Sequence, residues 1–118
     1  MANDFKRICT PDIATSLTTI YAVPAGASSA ALESIVIGIT MANKTSSGVT
    51  ASIFIDNEDG SNDVYIVKDA SIPAGASLEV MSGNKLVLQN DGSNGDNLEA
   101  IASAANSVDV TVSILQDV

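Results

Sequence analysis

The stretch Ile35 to Met41, IVIGITM, most constrains what this chain can fold into. Ile35, Ile37, Ile39 and Met41 recur at every second position, and between them stand Val36, Gly38 and Thr40, small or β-branched groups that suit the covered face of a sheet. This pattern predicts a central strand. Burying the four larger side chains would contribute about 6 to 12 kcal/mol at ~1.5 to 3 kcal/mol each, more than the ~1 kcal/mol that a mid-strand glycine costs.

Other stretches follow the same period. Ser16 to Val23, SLTTIYAV, is rich in Thr, Ile, Tyr and Val and stops at Pro24, which forbids an interior strand from continuing. After the polar run Asn43 to Gly48, residues Val49, Ala51, Ile53 and Ile55 alternate with Thr50, Ser52, Phe54 and Asp56, a half-buried antiparallel pattern. Phe54 falls on the otherwise polar side and is therefore expected as an exposed aromatic, either tolerated there or marking a subunit contact. The connection Asp56 to Asp63, DNEDGSND, carries the hairpin signal Asp59-Gly60 before Val64 to Val67. Leu78 and Val80 alternate with Glu79 and Met81, and Ser82-Gly83-Asn84 is expected to reverse the chain before Leu86 and Leu88. Leu98 to Ala105 is rich in alanine, yet it alternates and is closely bounded by turn residues, so a strand is expected rather than a helix. Ser107 to Leu115 sets Val108, Val110, Val112 and Ile114 against Asp109, Thr111 and Ser113.

The pentapeptide PAGAS occurs twice, at Pro24 to Ser28 and at Pro73 to Ser77, each time after a β-branched residue. Proline fixes φ and removes a donor, and glycine two residues later permits positive φ, so each copy is expected to turn the chain from one strand towards the next. The flanking sequences align poorly, which favours one corner solution used twice over a duplicated half. Roughly eight strands at 8 to 12 residue spacing predict an all-β fold, a single antiparallel β-sandwich of jelly-roll type. Residues 12–118 form the expected sandwich domain. Residues 1–11 read as an N-terminal arm, or else as a short edge strand of the same domain, with Phe5, Lys6, Arg7 and Ile8 as candidate partner contacts.

Composition narrows the function. Of the 118 residues 46% are apolar but only 3% aromatic, with no Trp, so the core must be built from Val, Ile, Leu and Ala. Five basic against fourteen acidic residues give a formal charge of −9, which repels nucleic acid and anionic membrane surfaces. A single cysteine, Cys9, excludes an intrachain disulfide. The N-terminus lacks the apolar run of a secretory signal, and no segment is long and apolar enough to span a membrane, so a soluble protein made in a cytoplasm is expected.

With no histidine, neither a Ser-His-Asp nor a Cys-His arrangement can exist, and no enzymatic activity, cofactor or small-molecule substrate is expected. The acidic residues Asp56, Glu58, Asp59 and Asp63, and Asp91 with Asp96, fall in two loops that offer oxygens to calcium. Neither loop fits D-x-[DN]-x-[DN]-G, so turn chemistry is favoured and no metal site is expected. Sugar stacking is disfavoured, because only Tyr21 and Tyr65 could supply a platform.

The segments SLTTIYAVPAG, IPAGASLEVMSGNKLVLQNDG and ASAANSVDVTVSILQ resemble a family of small structural proteins of tailed bacteriophage virions. The resemblance runs from about Phe5 to Leu115 and is most specific from Leu86 to Ile114. It implies a non-enzymatic β-sandwich present in many copies in the virion and made in the host cytoplasm. The implied role is a capsid decoration, or cement, protein on the outer head shell, or alternatively a neck, tail or fibre-associated component. The implied partners are the major capsid protein or other virion proteins, with a homo-oligomer, a trimer, as the assembling unit.

Overall fold

The computed structural model describes residues 3–56, 63–81 and 85–117. Nine strands are defined: β1 (Asn3–Thr10), β2 (Thr18–Ala22), β3 (Leu32–Asn43), β4 (Val49–Asp56), β5 (Asp63–Ile72), β6 (Ser77–Glu79), β7 (Leu86–Asn90), β8 (Asn97–Ala102) and β9 (Val108–Asp117). One sheet has the order β1-β9-β3-β6, with β7 also pairing β3, and the other has the order β2-β8-β4-β5. Every pairing is antiparallel. Interleaving of early and late strands in both sheets is the double Greek key of a jelly roll, the architecture that the alternating segments predict.

The core lies between the sheets and is aliphatic, as composition requires. Ile39, Met41, Ile53, Ile72, Leu88, Leu98, Val108, Val110, Val112 and Ile114 are all fully buried. Leu98, Ala100 and Ala102 face inward from β8, so the alanine-rich stretch is a strand. Two polar ties among the described residues cross between the sheets: Asn43 Nδ2 of β3 donates to the Ile72 carbonyl of β5 at 3.0 Å, and Tyr21 makes the other. The Tyr21 hydroxyl of β2 donates to Gln116 Oε1 of β9 at 2.9 Å and lies 2.8 Å from Ser34 Oγ of β3. Burial pushes the Tyr21 phenol above its ordinary pKa, and the Ser34 hydrogen bond pulls the other way.

Four expectations are corrected. First, β3 is central, but its inward set is Val36, Ile39 and Met41 rather than all four alternate residues. A bulge between Val36 and Gly38 adds one residue to the register with β9, so Ile35 and Ile37 turn to the outside. Second, β6 and β7 both run antiparallel to β3, with Thr40 opposite Glu79 and Val36 opposite Leu86, so the chain keeps its direction across the expected reversal. It leaves the ladder after Val80, whose N–H still donates to the Ile39 carbonyl at 2.9 Å, and rejoins at Leu86 beside the bulge. Residues Ser82 to Asn84 lie outside the described residues, as does the Asp59-Gly60 hairpin signal. Third, of the two readings of residues 1–11, the arm gives way to the alternative, an edge strand of the same domain at Asn3–Thr10. It pairs with β9 along its whole length, from Asn3 opposite Asp117 to Thr10 opposite Val110, because the backbone of β9 offers an edge that the chain's own start can fill. Fourth, Phe54 points outward from its sheet as expected, yet it is only 2% exposed. Its ring packs against that of Tyr65 at 5.3 Å, and Glu99 stands beside it on β8, so neighbouring outward side chains cover it.

Both PAGAS copies carry the chain from the four-stranded to the five-stranded sheet, but by different turns. At Pro73–Ser77, Gly75 has φ +69° and the Ala76 N–H donates to the Pro73 carbonyl at 3.1 Å. At Pro24–Ser28, Gly26 is extended and the positive φ falls on Ser28 and Ser29, within a 3₁₀ turn at Ala27–Ser29. That first corner is clasped by the loop after β7. Asn90 Nδ2 donates to the Val23 carbonyl at 2.8 Å, and the Val23 N–H donates to the Asp96 carbonyl at 3.1 Å.

Candidate functional site

Among the described residues no three His, Cys, Asp or Glu side chains gather as metal ligands would. Asp91 accepts the N–H groups of Ser93 and Asn94 on Oδ1 at 2.8 and 2.7 Å, and these bonds hold its carboxyl below the usual range. Asp96 Oδ2 accepts the Gln89 N–H at 2.9 Å, so this pair of acids organises its own loop. Glu58 and Asp59 lie outside the described residues. Just after β1 and beside the end of β3, Lys44 Nζ pairs with Asp12 and, at 3.0 Å, with Asp109 of β9, whose Oδ1 also accepts the Asp12 N–H at 3.0 Å. The Asp12 N–H and then the Lys44 ammonium hold the Asp109 carboxyl below its ordinary pKa, while Asp12 and Asp109 raise that of Lys44. Asp12 itself adopts φ +56°, a conformation aspartate tolerates, so this cluster fixes the chain where it leaves β1.

The expected contact residues divide between the two sides of β1. Register with β9 puts Phe5 opposite Leu115 and Arg7 opposite Ser113 on the outer face, and Lys6 opposite Ile114 and Ile8 opposite Val112 on the inner side. Ile8 packs on the core edge, and Lys6 lies 3.6 Å from Asp4. Phe5 is 75% exposed. Phe54 is covered, and the exposed aromatic of that sheet is its partner Tyr65, with Lys68 Nζ 5.2 Å from the ring centroid. Tyr21 is inside the core, which removes it from any sugar-stacking platform.

The outer face of the five-stranded sheet gathers what the sequence scatters. Phe5 stands opposite Leu115, Leu115 opposite Ile35, and Ile35 opposite Val87, an unbroken apolar row across β1, β9, β3 and β7. Ile37 adjoins it through the bulge, and Val87 is 54% exposed. At ~4.8 Å between strands the row is about 14 Å long. Sequence reading missed Ile35, Ile37, Val87 and Leu115 because strict alternation assigns the first two to the core. The signal that could have found them is Gly38, since glycine within a strand marks a bulge.

No protein-family model matches the chain, and no curated protein sequence matches it. Among solved structures it is similar to a chain from Bacillus endospore appendages, described as disulfide-linked pili. That likeness has 15% identity and a TM-score of 0.42, over 97% of this chain and 86% of that one. It is also similar to a chain of infectious bursal disease virus, Gx strain, at 13% identity and a TM-score of 0.46, over 97% of this chain. The chain spans 32% of the length of that viral protein.

Proposed function

We propose that this chain is a non-enzymatic structural protein of a virion, a capsid decoration protein that binds the outer head shell of a tailed phage and stabilises it. The reading starts from the resemblance of the segments between Phe5 and Leu115, and one structural observation carries it further. Strand β1 holds its place through its backbone, while the side chains of Asp4, Phe5, Lys6 and Arg7 stay exposed. Eight residues are thus ordered at the edge of a sheet with little return to the core, as suits a segment whose side chains and outer backbone edge serve a partner. The partner is the major capsid protein or another virion protein, and the docking segment runs from Phe5 to Ile8.

Co-sedimentation with expanded heads tests this. The full chain is expected to pellet with heads, and a chain lacking Met1 to Thr10 is expected to fold but remain in the supernatant. Unchanged binding by the shortened chain removes β1 from the mechanism. Copy number separates the neck, tail or fibre reading: hundreds of copies per particle indicate the head, and a small multiple of three, five or six indicates the tail axis.

A further inference from the structure

We propose that the outer face of the five-stranded sheet, along the row Phe5, Leu115, Ile35 and Val87, takes the same face of a second copy of this chain. The two copies are related by a two-fold axis lying along the row. This inference does not depend on the virion reading.

Three observations point to a second copy as the occupant. The first is the row itself: Phe5 and Val87 are exposed at its ends and Leu115 and Ile35 half-buried between them, and contiguous apolar side chains on one face mark an interaction surface more often than scattered ones do. The second is size. Four strands at ~4.8 Å over the five residues of β7 at ~3.4 Å give a planar footprint of about 330 Å², and more with side-chain relief and the flanks, which is the scale of a weak, concentration-dependent association. The third is the distribution of charge beside the row. Since β1 and β3 run in one direction and β9 and β7 in the other, one flank presents Arg7, Ser113, Ile37 and, just before β7, Lys85, with the Glu79 carboxylate held by Thr40 further out on the same side. The opposite flank presents Glu33 and Gln89.

Rotation about an axis along the row sets each strand on its own counterpart, running the opposite way. Phe5 then meets Phe5 and Ile35 meets Ile35, and the flank bearing Lys85 meets the flank bearing Glu33. Rotation about an axis along the strands instead places Arg7 over Lys85, like charge on like. In a chain of net charge −9, self-association is favoured by setting opposite charges together, and the first arrangement does so for Lys85 and Glu33 without placing Arg7 over Lys85. An anionic polymer or membrane finds only two basic residues on this face and is repelled by the rest of the molecule.

Sedimentation velocity on the full chain over a range of concentrations provides the test. The wild type is expected to pass from monomer to dimer as concentration rises. Val87→Lys, at an exposed edge-strand position, is expected to weaken the dimer about tenfold or more without changing the circular dichroism spectrum. Lys85→Glu is expected to weaken it, and Glu33→Lys in the same chain to restore it. A wild type that stays monomeric, or a dimer or trimer that neither Val87→Lys nor Lys85→Glu affects, overturns the proposal. Stronger association of Lys85→Glu alone overturns the stated axis, because it implies that Arg7 faces position 85.

Discussion

The Tyr21 hydroxyl joins a strand of one sheet to two strands of the other, and it does so in a core that is mostly aliphatic. Tyr21→Phe keeps the ring and strands the Ser34 hydroxyl and the Gln116 carbonyl in apolar surroundings, where an unpaired polar group costs about 1 to 3 kcal/mol. Thermal unfolding should shift down by about 4 °C or more for a domain of this size. An unchanged midpoint would mean that Ser34 and Gln116 pair with each other or with water. The Lys44 cluster acts on a different scale of energy, because its members are largely solvated. Asp109 titrates below its unfolded value, so its contribution is complete above the ordinary carboxylate range and disappears as pH falls through the depressed folded pKa. Lys44 titrates above its unfolded value, so its share is lost only as pH rises past the ordinary lysine range. Asp109→Asn should therefore lower the unfolding midpoint near neutrality and flatten the acid side of its pH profile, the two proteins converging at low pH. Parallel profiles would show that Asp109 is not the group that matters.

Among the elements, glycines that look alike in sequence do different work. In the loop between β7 and β8, Gly92 has φ +102°, and a Cβ built there would lie 2.2 Å from the Ser29 carbonyl oxygen of the first PAGAS corner. Gly75, in the second corner, has φ +69° with nothing within 4 Å of such a Cβ. Gly92→Ala should cost ~3 kcal/mol or more and loosen the clasp on that corner, whereas Gly75→Ala should cost only the ~1 to 2 kcal/mol of a left-handed backbone. Equal losses in denaturant titrations would contradict this account. The same contrast shows what the sequence made legible. Alternation located β2 to β9, because burial of one face imposes period two wherever a strand stays regular. It failed where a backbone device intervened. The bulge beside Gly38 reversed the phase of Ile35 and Ile37, the covering of Phe54 depends on residues far away in sequence, and the heading of β7 is fixed by its pairing with β3. The Phe5 to Val87 row was illegible for a further reason: its four members come from four strands that are remote in sequence.

For the molecule as a whole, long-range pairing within each sheet and packing between the two set the behaviour. With no disulfide and an aliphatic core, cohesion rests on the packing of the two layers, and no described cluster of acids gathers as a metal site would. Excess EDTA should therefore leave the unfolding midpoint where it is. A large drop would direct attention to the acidic segment 57–62. Direction and register across the five-stranded sheet are carried by β3, and its broken neighbour has a practical corollary. Because β6 and β7 are each pinned to β3 separately, the number of residues spliced between Met81 and Lys85 is not metered by the ladder. A foreign epitope grafted there would leave the frame undisturbed, which makes this side of the sandwich a natural carrier for peptide display.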